Sequence, residues 1–482
     1  VHVGAELGLL EAQGEGESSL GHDREQMPAT AIVLDVGKTK LKASLIDGEG
    51  DVLRTTTIAN STVSDRDYRI QDVPRAWSFM KEAMADMMAD FPVTDVIVST
   101  HGSSGMLVNA DGSTTPLPDY ESEMPEQIER FYAEMADDLA ERGSNIGVGP
   151  RHIAKQLFWL QHAHPTVFNK AVTLLPAPQY WAWKLSGVRS MDTTSLTAQS
   201  HLWNAGEKRF TGIVQRQGWH HLMPRVYKPH RVLGRLTEPA LTQLGTSRAI
   251  RVRCGVHDSA ANFHRYQAAG FKDFVLLSSG TWLVGLSDGE THSVPEGIDL
   301  TFQQSAVGTP IVSCRVMAGR EFGILSGDNF GPAEPVVVNT LIARKTVALP
   351  SFQPRDGLVS GSAGKGRIVG PLPENSAENL ALALLYYVML ADLCIEYLGR
   401  PKTIIVDGNI TGQPLLGPLL KGLNPSSEVL ISSSPDGTAV GAALLAGAGR
   451  AAVPRPINRQ DGLISLNALE EYAKIWRASI SN

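Results

Sequence analysis

The feature that most constrains this chain is a pair of short β-hairpins with glycine at the turn, one near the start and one in the second half. In TAIVLDVGKTKLKASLID, Ile32, Val33 and Leu34 make an apolar strand, and Leu41, Ala43, Leu45 and Ile46 make its partner. Asp35, Gly37, Lys38 and Thr39 occupy the turn, so the segment is a hairpin rather than the strand-to-helix turn of a P-loop. The stretch 274–287, FVLLSSGTWLVGLS, repeats the form with a Ser-Gly-Thr tip.

The elements around the hairpins also recur. After the first come a strand in DVLRTTTIA, a helix over Val73–Asp90 with Trp77, Met80, Met84, Met87 and Met88 at core spacing, and a buried strand in DVIVST ending at His101-Gly102. A mostly helical middle is expected over 151–162, 166–169 and the run AVTLLPAPQYWAWKLSG, with 196–203 packed nearby and 229–237 as a linker with a short strand. From residue 246 the pattern restarts. RAIRVRCGVHDSAANFHRY predicts strand, turn and helix, followed by the second hairpin and a long helix after Pro373. The strand TIIVDGNI, the helix QPLLGPLLKGL, the strand EVLIS and the small-residue helix TAVGAALLAGAG complete it. The same order met twice implies two related α/β domains with a cleft between them, here divided as 27–245 and 246–482. Residues 1–26, acidic and rich in Gly and Ser, are expected to be a disordered leader or tag, with Met27 as a native start.

Composition narrows the function classes. The 482 residues are 43% hydrophobic and 19% charged, with a formal net charge of −7, as in an ordinary globular protein. That balance offers no basic face for nucleic acid or an anionic membrane. A small phosphate ligand remains compatible, because backbone amides and a metal can hold it whatever the net charge. The most apolar stretch, 380–391, is too short to cross a bilayer and is expected as a core helix. Cys254, Cys314 and Cys394 are few and widely separated, without a CxxC pair, which predicts buried, unreactive thiols in a reducing cytoplasm.

Phosphoryl transfer needs a polyphosphate cradle, a metal site and a base beside the attacking hydroxyl. Asp35, at a strand end, suits Mg²⁺ held directly or through water. Gly37 lets the backbone approach a phosphate, and Thr39 with Lys38 or Lys40 adds donors and charge. Ser278, Ser279, Gly280 and Thr281 form a second candidate cradle, although Ser and Gly are also ordinary turn residues. In Gly255-Val-His257-Asp258-Ser259, Asp258 opens a helix. It is either an N-cap or a base that takes the proton of a hydroxyl oriented by His257. Negative charge is favoured at that helix end in either role. Asp407-Gly408-Asn409 ends a strand. The helix opened by Asp436-Gly437-Thr438-Ala-Val-Gly441 either admits a flat purine or packs closely on another helix.

Together, and in this order, these motifs resemble the FGGY carbohydrate kinases over residues 30–450. THGSSGMLVNADG, at 100–112, resembles the sugar-domain strand and hairpin of that family. Its spacing and the His-Asp-Ser turn are closest to the L-fuculose and L-rhamnulose kinases. KQLFWLQHAHPTVFNKA and LLPAPQYWAWKLSG resemble the family's helical stretch. Lys38 stands where many members have Thr, and Ser104 where the fuculose and rhamnulose kinases often have Asp. The resemblance implies the sugar kinase/Hsp70/actin ATPase fold: two actin-like (ribonuclease H-like) α/β domains around an interdomain cleft. It implies transfer from ATP, with Mg²⁺, to a hydroxyl of an L-fuculose-, L-rhamnulose- or L-xylulose-like ketose. Asp258 would be the base and would share the metal with Asp35. Gly37, Lys38, Thr39, Ser279, Gly280 and Thr281 would lie beside the phosphates, and Gly408, Asn409, Gly437 and Gly441 near adenosine. Thr100, His101, Gly102 and His257 would face the sugar, on the N-terminal domain. Homodimers are frequent in such a family. An actin-like ATPase chaperone and a non-catalytic sugar sensor are the competing readings.

Overall fold

The computed structural model describes residues 29–289, 297–354, 357–432, 436–451, 454–456 and 464–480; the expected leader, 1–26, lies outside them. Each hairpin seeds a seven-stranded mixed sheet. In the first, Ala31–Val36 pairs antiparallel with Lys40–Ile46 and parallel with Asp95–Thr100. In the second, Phe274–Ser279 pairs antiparallel with Leu283–Ser287 and parallel with Thr403–Gly408. The repeat expected from the order of elements is therefore a repeat of pairing as well. Asp35 lies beside Ser99 in the first sheet, and Ser278 beside Asp407 in the second.

The helix Val73–Asp90 begins where expected, with Asp72 capping the Arg75 amide, and buries Met80, Met84, Met87 and Met88 against the first sheet. Trp77 sits at the rim and stacks on Trp181, ring centroids 6.1 Å apart. The middle segment departs from the helical expectation at Ala171–Pro176, a strand on Gly105–Asn109. Its run AVTLLP has the β-branched and apolar content of a buried strand, and Pro176 ends it before the helix Ala177–Ser186 begins.

The expected division after residue 245 falls inside the first sheet. Arg251–Arg253 and Val256–His257 both add to Asp95–Thr100, and the second sheet starts only at Phe274. The reason is visible in the pairing: Val232–Arg235 bonds back to Arg251–Arg253, so the presumed linker is an edge hairpin. The apolar stretch 380–391 extends into a 22-residue helix, Ser376–Tyr397, capped by Asn375. By length and composition it would span a membrane, yet 17 of its residues are buried within the second lobe. The cysteine expectation is corrected too. Cys314 and Cys394 are joined in a disulfide between Pro310–Val316 and this helix, while Cys254 alone is free and buried.

Two helices join the lobes. Asp258–Ala268 and Gly437–Leu445 cross with Gly441 against Ala261, where a Cβ would overlap the Ala261 carbonyl oxygen. Ala260, Ala261, Ala439, Ala442 and Ala443 close this seam, and it packs on Ala31, Val33 and Ile97 of the first sheet. Gly441→Ala should lower unfolding stability by about 1–3 kcal/mol through overpacking. Gly234→Ala, whose Cβ meets open space, should stay within about 0.5 kcal/mol of the parent in the same chemical denaturation.

Candidate active site

The parallel pairing of Val256–His257 on Asp95–Thr100 sets His257 beside Thr100. The chain then leaves both strands at their carboxyl ends, where His101, Gly102 and Asp258 emerge together. Crevices at such strand ends are the usual ligand sites of parallel sheets. Asp258 is the first helical residue, and His257 holds the cap position without a side-chain cap bond. Asp258 Oδ1 accepts from the Ser259 amide at 2.6 Å and from its hydroxyl at 3.2 Å. The Asp258 side chain remains 30% exposed, with His257 Nε2 3.5 Å from Oδ1. The His257 amide donates to Thr194 Oγ1 at 3.0 Å, which fixes the turn.

Asp258 borders two hollows at once. One, of about 740 Å³, is lined by His101, Gly102, Arg151, Gln199, His257 and Arg315, among others. The other, of about 930 Å³, is lined by Lys38, Thr39, Asn262, Gly280, Thr281 and Thr438, among others. His101, Tyr120, Asp258, Ser259, Trp282 and Val284 face both. Burial pushes the His101 imidazole below its ordinary value, against the opposing effect of its hydrogen bond to the Gly102 carbonyl. The ring is thereby kept neutral, 2.8 Å from that oxygen and edge-on to Tyr120.

The two glycine turns face this junction from opposite lobes. Gly37 closes the first by donating its amide to the Lys40 carbonyl at 2.9 Å. Gly280 closes the second by donating to the Trp282 carbonyl at 2.9 Å, and its α-carbon faces open space. Lys38 lines the second hollow, but its ammonium is 2.5 Å from Asp119 and 3.5 Å from Glu121. Asp35 lies under the junction. Removal from water and the nearby Asp258 carboxylate push it up to about 7; Lys42 opposes this and Asp436 adds to it. Lys42 itself holds Asp436 at 2.9 Å across the lobes. Among the described residues no cluster of three or more His, Cys, Asp or Glu makes a ready cage for a metal. Two carboxylates in mutual repulsion suit a Mg²⁺ that keeps water and nucleotide oxygens in the rest of its shell.

Several predicted residues have close structural contacts of their own. Thr100 is buried and turns its hydroxyl to the His101 carbonyl at 2.9 Å. Gly408, at φ +92°, leaves room for the Ser279 backbone, and Gly437 is closed in by Asn262, Asp407 and Arg265. Gly441 is a helix-crossing residue, and its approach to Ala261 leaves no room for a side chain. Ser279 and Asn409 line a third hollow, of about 470 Å³, with Gly280, Phe322, Phe330 and Gln413. The first hollow also has a second-lobe wall of Trp282, Val284, Asp299, Gln303, Ser313 and Arg315, so it does not belong to the N-terminal domain alone. Trp282 could have been found beside the Ser-Gly-Thr tip. Asp299, Gln303 and Arg315 carry no local motif.

Comparison with known proteins fits this two-lobed arrangement. Residues 30–263 match the N-terminal domain of the FGGY family of carbohydrate kinases, and residues 271–455 match the carbohydrate kinase FGGY C-terminal domain. The chain therefore belongs to the FGGY family of carbohydrate kinases. It is 24% identical over 264 residues to an L-fuculokinase of Salmonella typhi, covering 52% of this chain and 55% of that one. The match thus spans about half the length of that curated relative. A carbohydrate kinase from Novosphingobium aromaticivorans superposes with a TM-score of 0.81 at 27% identity, over 93% of this chain and 100% of that one. A ligand-bound xylulose kinase from Lactobacillus acidophilus gives 0.78 at 15% identity, over 94% and 97%, which is a likeness of fold. The fold is the actin-like one of the sugar kinases.

The strain on Asp35 has a measurable sign. Its folded value lies above the ordinary 3.8, so between 3.8 and about 7 the folded state holds more protons than the unfolded one. Stability of the ligand-free protein should then fall as pH rises through that window. Asp35→Asn should flatten this slope and stabilise the ligand-free protein at about pH 8, by at most about 4 kcal/mol in thermal or denaturant unfolding.

Proposed function

We propose that the protein is an ATP-dependent carbohydrate kinase that moves the γ-phosphoryl group of Mg-ATP onto a hydroxyl of a small, ketose-sized sugar. The observation that carries this is the position of Asp258, the carboxylate shared by the two joined hollows. The 740 Å³ hollow takes the sugar, and the glycine turns flank the hollow that takes the phosphates. The third hollow, with Phe322 and Phe330 stacked at 6.0 Å, suits a nucleoside.

The chemistry balances without a covalent enzyme intermediate. The acceptor hydroxyl oxygen forms a bond to the γ-phosphorus as the bond to the β-bridging oxygen breaks. ADP leaves, and the hydroxyl proton passes to Asp258. Bound Mg²⁺ supplies charge neutralisation at the phosphates, and Asp35 and Asp258 are the residues that would hold it. Neutral His101 and the buried His257 orient the acceptor by hydrogen bonding. Trp282 and Val284, facing both hollows, shield the junction from water, which limits transfer to water in place of sugar.

Asp258→Asn keeps the shape of the turn and removes the base. Its kcat for sugar-dependent ADP release should fall by about 10³-fold, near the middle of the range for loss of a general base. ADP binding by calorimetry should change by less than about fivefold, or ~1 kcal/mol. Turnover close to that of the parent would remove Asp258 from the role of base.

A further inference from the structure

A segment of the first lobe reaches both glycine turns through charge. Asp119, Tyr120 and Glu121 follow the strand Thr114–Pro116. The backbone around them is fixed: the Leu117 amide donates to the Gly105 carbonyl at 3.0 Å, the Asp119 amide to the Arg69 carbonyl at 2.7 Å and the Ser122 amide to the Asp119 carbonyl at 2.9 Å. Asp119 Oδ1 also accepts the Glu121 amide at 3.0 Å, so the two acids are presented together. The Lys38 ammonium, from the first turn, lies 2.5 Å from each Asp119 carboxylate oxygen and 3.5 Å from Glu121 Oε2. Glu121 Oε1 stands 4.0 Å from Arg320 Nη2, and the Arg320 amide donates to the Thr281 carbonyl of the second turn at 3.1 Å.

Among the described residues, Lys38 and Arg320 are the lysine and arginine that line the phosphate hollow, and Glu121 lines it with them. Each of these cations faces a carboxylate of the segment. Asp119 is 7% exposed and Lys38 22%, so water screens their pairing only in part. A triphosphate held between the glycine turns competes with those acids for the same two cations, and its charge repels an acid that keeps them. Lysine suits such an exchange, because its ammonium is a point charge on a flexible stem. The place of Lys38 decides which phosphate it meets. It shares a smaller hollow, of about 370 Å³, with His101 and Asp119, and His101 joins Asp258 in facing both larger hollows. Lys38 therefore stands at the acceptor end, where the transferring phosphoryl group lies.

We infer that Asp119 and Glu121 are positioning residues that hold Lys38 and Arg320 until the nucleotide takes them. The phosphoryl group nearest Asp258 displaces Asp119 from Lys38, and the rest of the polyphosphate displaces Glu121 from Arg320. This counter-ion exchange rests on the kinase reading and adds two properties to it. Nucleotide entry carries the cost of parting two ion pairs, and ATP recovers more of that cost than ADP, which lacks the group that meets Lys38. The exchange also reaches the acceptor side. Tyr120, between the two acids, has the Lys38 ammonium 4.7 Å from its ring centre and stands edge-on to His101 at 5.8 Å. Withdrawal of Lys38 takes a cation from the face of a residue that walls both hollows, so nucleotide occupancy changes the surroundings of the acceptor.

Calorimetry with Mg²⁺, ADP and a non-hydrolysable ATP analogue, together with a crystal structure of the analogue complex, tests this. Asp119→Asn keeps the acceptor for the Glu121 amide and removes the competing charge. It should tighten the ATP analogue by at least ~3-fold and ADP by less than ~2-fold, whereas a merely structural role for Asp119 would tighten neither. Glu121→Gln should act in the same direction. Lys38→Met should weaken the ATP analogue by at least ~10-fold and ADP by much less, and Lys38→Arg should restore binding to within ~3-fold of the parent. In the complex, the Lys38 ammonium should have left Asp119 for a terminal phosphate oxygen. A complex in which Lys38 stays on Asp119, or an Asp119→Asn protein that binds the ATP analogue no more tightly, would overturn the inference and leave the kinase reading standing. Failure of the parent protein to bind either nucleotide would sink the kinase reading, and this inference with it.

Discussion

Gly441 against the Ala261 carbonyl is the contact on which the site depends. The helix that starts at Asp258 and the helix that starts after Asp436 approach closely only because Gly441 has no side chain. Each helix follows a strand of a different sheet: Val256–His257 in the first, Glu428–Ile431 in the second. Their crossing therefore sets one lobe against the other at the level where both glycine turns point inward. With the crossing in place, Asp436 reaches Lys42 on the first sheet, and Asp258 stands between the two hollows. A seam of alanines makes the joint compact.

The arrangement is costly in one place. Asp35 and Asp258 repel one another under partial burial, and Asp436 adds to the repulsion. A fold selected only for stability would not set these carboxylates so close together, since like charges brought near one another away from water are unfavourable. The tension is relieved when positive charge arrives, so ligand-free instability and ligand affinity share one source. Lys42 offsets the tension only in part, because it is already engaged by Asp436.

How much of this was legible depended on range. Hairpins, core helix and strand order were readable because alternation and 3.6-residue periodicity are local. Val73–Asp90 and both glycine hairpins fall where the pattern puts them. Asp258, His101 and Gly280 were legible because strand ends and helix starts mark where side chains leave a sheet. Gly408, Gly437 and Gly441 are ambiguous for the same reason. Glycine permits close approach, and sequence does not say whether the approaching group is a ligand or a neighbouring backbone. The short strand expected in 229–237 is present, but Val232–Arg235 has too little alternation to announce its pairing with Arg251–Arg253 across residue 245. The Cys314–Cys394 pair was hidden by a separation of 80 residues.

The second-lobe wall of the sugar hollow was the least legible part, and it changes what the two lobes are for. The edge strand Leu300–Gln304 docks on the first lobe, with the Phe302 amide donating to the Gly143 carbonyl at 2.8 Å and the Gln304 amide to Thr197 Oγ1 at 3.0 Å. A sheet edge that would otherwise be open for pairing is covered by the partner lobe. Asp299 precedes that strand, Gln303 lies within it and Arg315 comes from the adjacent strand, so the first hollow is walled by both lobes at once. Any relative movement of the lobes alters the shape of that hollow and the surroundings of Asp258 together. In a hollow of that kind, binding energy realised far from Asp258 can act on the arrangement around Asp258 itself.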